Sequence, residues 1–166
     1  MDEFIDVINE KEEITATKKK SFVHKNHLLH RISCVFVFKG NEFYIQKRSM
    51  LKRLFPGRYT FSASGHVKSG ETTLQGIKRE LQEELGIKAS GFGYVGKLRI
   101  RHPEENIIAY IYKAKSNQKI KLRKTEVRSA VLVSNVEINR LVKTEKNTFS
   151  PVFIKSYIKF KNKIWA

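Results

Sequence analysis

Between residues 65 and 87 the chain sets Gly65, then five residues on Glu71, then after seven more Arg79-Glu80-Leu81. One residue further come Glu83-Glu84 and, after another, Gly86-Ile87. No other stretch constrains the fold as strongly. At 3.6 residues per turn Glu80, Glu83 and Glu84 fall on one face of a helix. Leu74, Ile77, Leu81 and Leu85 recur at spacings of three and four and form its buried face. Thr72 or Thr73 is placed to cap the start of that helix, and Gly86 stands where a C-terminal glycine cap belongs. Three carboxylates crowded together repel one another unless a cation lies between them. Hard oxygen donors at that density suit Mg²⁺, with Mn²⁺ as the other fit. Arg79, four residues before Glu83, is placed to hold it. A merely solvated acidic face would not require Gly65, Glu71 and Gly86 at these offsets.

The rest of the chain predicts one α/β domain over residues 1–166. Forty per cent apolar residues with 11% aromatic ones supply a sizeable core at this length. Phe4–Ile8 and Ile14–Ala16 read as a hairpin turning at Asn9-Glu10-Lys11, followed by a solvated charge run, Lys18-Lys19-Lys20. Ile32–Phe38 is a central strand, Lys39-Gly40-Asn41 a turn and Glu42–Lys47 the return strand. Leu51 to Tyr59, with Pro56-Gly57, is a loop, and Thr60 to Ser64 a short strand leading into Gly65. Further strands are expected near 92–101, 107–115, 118–123 and 127–134, a helix near 135–143, and a last amphipathic helix from Pro151 to about Phe160. The single cysteine, Cys34, lies in an apolar run and is expected in the core. The acidic start, Met1-Asp2-Glu3-Phe4, has no signal-like apolar stretch, and no run reaches membrane-spanning length. A soluble cytoplasmic protein, monomeric or homodimeric, is the expectation.

The net charge is +17, and the excess lies late: residues 88–166 hold 18 Lys/Arg against 5 Asp/Glu. A generally Lys-rich composition is the favoured explanation, with steering of a polyanionic substrate as its side effect. A nucleic-acid surface is the third reading. RNA would be the natural partner, but neither an RNA-reading aromatic motif nor zinc-finger spacing accompanies the charge.

The 65–87 segment resembles a complete Nudix box. The flanking stretches extend the resemblance: His30-Arg31 before the central strand, Gln46-Lys47-Arg48-Ser49, Pro56-Gly57-Arg58-Tyr59, and Ser62-Ala63-Ser64-Gly65-His66-Val67. These are similar to the isomerase-like branch of the Nudix superfamily, which groups type 1 isopentenyl-diphosphate isomerase with a set of hydrolases. The resemblance implies the Nudix fold, an α-β-α sandwich with a mixed β-sheet. It implies a Mg²⁺-dependent pyrophosphohydrolase that cleaves the diphosphate linkage of a nucleoside diphosphate derivative or related organic diphosphate. The implied metal ligands are the Gly65 carbonyl, Glu80, Glu83 and Glu84. The implied catalytic group is Glu83, Glu84 and Arg79, with Glu83 as the proton acceptor and Glu71 and Arg79 orienting the box. Glu104, Glu105 and Glu126 are late acids available to complete a metal cage. Arg48 and Lys52 match positions that grip the substrate diphosphate, with His66 beside them. A bidentate guanidinium and a mobile ammonium suit such a group. Tyr59 and Phe61 are placed either to line the pocket or to join the core.

Two features test the isomerase itself. It needs a cysteine before the Gly-His pair and a downstream glutamate to move a proton across an alkene. The matching residues here are Ser64 and Asn106, neither able to do that work. His30 and His66 match positions through which the isomerase binds a divalent metal, and His24 falls one residue off its first histidine. Three readings of His24, His27, His30 and His66 stand side by side: metal ligands, a structural or substrate-facing pair, or polar residues opening a strand. A non-catalytic nucleotide or RNA-binding protein on the same scaffold is the remaining alternative, although such proteins often lose box glutamates and this chain keeps them all.

Overall fold

Alternation along one strand sets up the layers. In β3 (His30–Lys39) successive side chains point to opposite faces. Cys34 and Phe36 therefore join one apolar cluster, while Val35 and Val37 join another. All four are completely buried, which requires cover on both sides of the sheet. The structure, a computed structural model, describes residues 2–166.

Among the described residues nine strands form a single mixed sheet around β3. β8 (Glu105–Lys115) runs parallel to β3 along most of its length and carries β7 (Ser90–His102) antiparallel on its far side. β6 (Ala63–His66) pairs antiparallel with β3, setting Gly65 opposite Ser33 and His66 opposite Ile32. β4 (Glu42–Arg48) leaves β3 through the expected hairpin and then lies between β5 (Tyr59–Thr60) and β9 (Val127–Val133). The first hairpin, β1 (Phe4–Ile8) and β2 (Ile14–Lys19), joins at the His30 end of β3.

α2 (Thr73–Leu85) packs Ile77, Leu81 and Leu85 on the Val35/Val37 face. α4 (Pro151–Trp165) and α3 (Asn135–Thr144) cover the opposite face through Phe153, Tyr157 and Ile138. The result is the expected α-β-α sandwich. Each large apolar side chain buried this way stabilises the fold by about 1.5–3 kcal/mol.

Local signals place α2 accurately. Thr72 Oγ1 accepts from the Gln75 N–H at 3.2 Å, and the Gln75 side chain accepts from the Thr72 N–H at 2.8 Å. This is a reciprocal capping box. Gly86 ends the helix in the left-handed region, at φ 65°.

Four expectations need correction. Residues 118–123 form no strand. Ile120 and Leu122 alternate as a strand would, but they pack beside α2, and the backbone caps that helix instead. The Lys121 N–H donates to Leu85 O and the Arg123 N–H to Glu84 O. The expected strand at 60–64 is broken at Phe61-Ser62 into β5 and β6. The lysine run is solvated at Lys18 and Lys19, as expected, but not irregular: these two extend β2, and Lys20 opens an unforeseen helix, α1 (Lys20–Lys25). α4 also continues five residues past Phe160, to Trp165.

Candidate active site

Gly65 explains how β6 and α2 come so close. A Cβ built there would lie 2.1 Å from the Glu80 carboxyl carbon, so only glycine leaves room for that carboxylate against the strand. The three box glutamates then line one cavity of about 160 Å³ together with Arg48, Lys52 and His66. The box ligands Gly65, Glu80, Glu83 and Glu84 and the positions assigned to the diphosphate, Arg48, Lys52 and His66, therefore border the same space.

Arg79 is a brace. Its Nε and Nη2 hold both oxygens of Glu71, at 2.7 and 3.0 Å, and Nη1 donates to Glu80 at 2.6 Å. Nη2 also donates to the His66 carbonyl at 2.9 Å, and Glu83 lies 3.5 Å from Nη1. These bonds fix the box acids relative to β6 and leave Glu83 the most solvent-exposed of the three, at 38%.

Glu84 is the most enclosed. Its Oε2 accepts from Gln46 Nε2 at 2.8 Å and from the Ser64 N–H at 3.1 Å. Burial, and then repulsion from Glu80, pushes its pKa up to about 8. Burial likewise raises Glu80, with Arg79 acting against the shift. Without a cation Glu84 therefore keeps its proton at a pH where an isolated carboxyl would have released it.

The basic side is built from β4 and the loop after it. Arg48 Nε donates to the Leu54 carbonyl at 2.9 Å. Burial lowers the Arg48 pKa against the pull of Glu84, Glu105 and Glu126. Lys52 forms an ion pair with Glu126. The acid facing the cavity from β8 is Glu105, whose pKa burial raises to about 7, and its Oε2 has no partner. Asn106, aligned with the isomerase glutamate, bonds instead to the His27 carbonyl and accepts from Arg99, both at 2.6 Å. Glu104 is exposed and does not border the cavity. Tyr59 and Phe61 stay out of it too: Phe61 is in the core against Phe36, and Tyr59 lies beneath Lys47.

The histidines converge more closely than their spacing suggested. Ring nitrogens of His24, His30 and His66 lie within 4.8 Å of one another, while His27 stands apart. His24 Nε2 and His66 Nε2 are 2.8 Å apart. His30 Nδ1 donates to the Leu28 carbonyl at 2.9 Å, which leaves a buried, unpartnered Nε2 facing the group. Burial pushes His24 and His30 down to about 4, and His66 well below its ordinary value. Three imidazoles with converging ring nitrogens, once the proton shared by His24 and His66 is released, suit a borderline-soft divalent cation.

Sequence reasoning missed two residues here. Lys20 borders the cavity and pairs with Glu3, although the sequence presents it as one more lysine in a solvated run. Gln46 reaches Glu84 from a strand in which it reads as an ordinary alternating position. Its place two residues before Arg48, on the same face of β4, and its presence in the Gln46-Lys47-Arg48-Ser49 stretch that carries the resemblance were the signals for it.

The NUDIX domain family matches residues 28–156, a span that holds the box and both basic positions. The chain belongs to the Nudix family. An uncharacterised Nudix hydrolase of Clostridium acetobutylicum is 32% identical over 170 residues, covering 95% of this chain and 81% of the relative. An isopentenyl-diphosphate isomerase of Serratia proteamaculans is 34% identical, but over only 54% of this chain and 50% of its own length. Among solved structures, a Deinococcus radiodurans protein superposes with a TM-score of 0.80 at 19% identity, covering 95% of this chain and 99% of that one. A MutT protein from Methanosarcina mazei gives 0.69 at 22% identity, over 81% and 94%. At those identities the superpositions establish a shared fold. Enzymes of this family act on small molecules with the help of divalent cations, and no helix among the described residues is long and apolar enough to cross a membrane.

Proposed function

We propose that the chain, acting as one Nudix domain over residues 1–166, is a cytoplasmic Mg²⁺-dependent pyrophosphohydrolase. Its substrate is a nucleoside diphosphate derivative or a related organic diphosphate. The observation that carries this reading is the meeting of Glu80, Glu83 and Glu84 with Arg48 and Lys52 around one cavity. Carboxylates on one wall and cations on the other suit a diphosphate taken up with its counter-ion.

Glu80, Glu83, Glu84 and the Gly65 carbonyl would hold the cation. Bound there, Mg²⁺ neutralises diphosphate charge and makes water a better nucleophile at neutral pH. Arg79 keeps Glu80 and Glu83 in register, and Glu71 keeps Arg79 in place. Glu83, the exposed carboxylate of the three, takes up the proton of the attacking water. Arg48 and Lys52 offset the charge that develops on the phosphoryl oxygens, with Lys52 exchanging Glu126 for substrate. Glu105 and Glu126 are the late-chain acids positioned to complete the cage, and His66 contacts the substrate beside Gly65.

The test is Mg²⁺-dependent turnover of a panel spanning nucleoside triphosphates, dinucleotides, nucleotide sugars, thiamine diphosphate, isopentenyl diphosphate and capped RNA. Cleavage of one class, lost in Glu84→Gln, supports the reading. Silence across the panel, with cation and ligand still bound, assigns a sensor role instead. The clustering of His24, His30 and His66 favours a second reading, an isoprenoid-diphosphate enzyme. Ser64 in place of a thiol argues against isomerisation, and absence of deuterium uptake into isopentenyl diphosphate would remove that version.

A further inference from the structure

Gln46 is a buried amide in the middle of β4, 1% exposed. Its strand is hydrogen-bonded on both sides, to β5 through Thr60 and to β9 through Ala130, so its backbone cannot drift. Period-two alternation turns Tyr44, Gln46 and Arg48 to one face. Tyr44 packs with the α2 cluster, Arg48 borders the cavity, and Gln46 between them reaches Glu84.

The amide is not explained by stability. Gln46 Oε1 is buried and has no partner, an arrangement that costs about 1–3 kcal/mol. An apolar side chain of the same length would avoid that cost. What the amide provides is a donor at 2.8 Å to Glu84 Oε2, the same oxygen that the Ser64 N–H holds at 3.1 Å. Two donors from two different strands fix one oxygen. Glu84 Oε1 accepts no hydrogen bond from a described residue, and Glu84 borders the cavity. The carboxylate thus presents a single free oxygen to a cation.

We propose that Gln46 is a positioning residue that fixes the Glu84 carboxylate for cation binding by occupying its Oε2. This rests on the hydrolase reading above and extends it to a residue outside the box. Partners behind a metal ligand typically contribute about 10- to 100-fold in affinity.

The experiment compares wild type, Gln46→Met, Gln46→Asn and Glu84→Gln. Gln46→Met keeps the length without the donor, and Gln46→Asn keeps an amide but draws it back by one methylene. Mn²⁺ binding that Mg²⁺ displaces is read by electron paramagnetic resonance, which separates the carboxylate wall from the imidazoles. Both Gln46 variants should weaken that affinity by about 10- to 100-fold. The metal-free melting temperature of Gln46→Met should stay level or rise, and substrate KM at saturating metal should shift by less than about twofold. Wild-type Mn²⁺ affinity in a folded Gln46 variant, with Glu84→Gln weakened, overturns the role of Gln46 alone. Wild-type affinity in Glu84→Gln overturns the hydrolase reading beneath it. A lower melting temperature with unchanged affinity shows that Gln46 is structural only, and also overturns the proposal.

Discussion

Two neighbouring clusters, the carboxylate wall of the cavity and a histidine wall that reaches the cavity through His66, meet burial in opposite ways. On α2, desolvation pushes Glu84 up to about 8, so that it keeps its proton. On the facing imidazoles, desolvation pushes His24 and His30 down to about 4, so that they lose theirs. Burial favours the neutral form in both, Glu84 by holding a proton and His24 and His30 by shedding one. The difference teaches that adjoining clusters can carry two pH liabilities of opposite sign. A cation relieves either of them, a hard one for carboxylates and a borderline-soft one for imidazoles.

The largest effect should separate the walls by kinetics. At saturating Mg²⁺, Glu84→Gln should lose more than about 100-fold in turnover, whereas His24→Asn should stay within about tenfold of wild type. Equal collapse in steady-state assays would merge the two walls into one catalytic unit. Next, Gly65→Ala forces a methyl group into the Glu80 carboxylate. The carboxylate is the free end of a flexible side chain and can swing aside, so the Mg²⁺ response should weaken while urea unfolding shifts by at most about 1 kcal/mol. If the Mg²⁺ response is unchanged, room for the Glu80 carboxylate is not what the glycine serves.

The pH dependence of the metal-free protein should show both liabilities. Glu84 holds its proton to a higher pH when folded, so its stabilising share is lost as pH rises from about 4.5 through about 8. Glu105 adds to this limb up to about 7. The imidazoles hold theirs less well when folded, so stability is lost as pH falls from about 6.5 through about 4. Melting temperatures from pH 4 to 9 should therefore fall on both sides, with Mg²⁺ lifting the alkaline limb. Glu84→Gln should flatten that limb alone, and an alkaline limb left intact in this variant would contradict the assignment. The smallest effect belongs to Lys20, whose charge helps to depress His24 and His66. Lys20→Gln should move the acid limb up by less than about one pH unit, while Lys18→Gln leaves it in place.

What could be read in advance divides along physical lines. The helix at Thr73–Leu85 was legible because its caps, its apolar stripe and its acidic face are all local to the sequence. Residues 118–123 misled because alternation shows that two faces differ but not that a sheet edge is available, and the end of α2 took those N–H groups first. The histidine cluster depended on register: His66 reaches His30 only because β6 pairs with β3. His24 joins them from a helix that the lysine run concealed. Gln46 stands in a stretch that carried the resemblance, but its tie to Glu84 could not be read there, since a hydrogen bond across 38 positions leaves no trace in periodicity.

The segment between β8 and β9 links the two sides of the cavity mechanically. Lys121 and Arg123 are fastened to the last carbonyls of α2, Glu126 is fastened to Arg123 and to the Ser49 N–H, and its side chain meets Lys52. The tether that joins the helix terminus to the cationic loop is thereby only the few residues from Lys121 to Glu126. Inserting one residue between Arg123 and Glu126 would shift Lys52 relative to Glu84 without altering either. Grafting new specificity onto this scaffold therefore has to spare that tether and begin at the free tip of the loop, where Met50 and Leu51 stand in solvent.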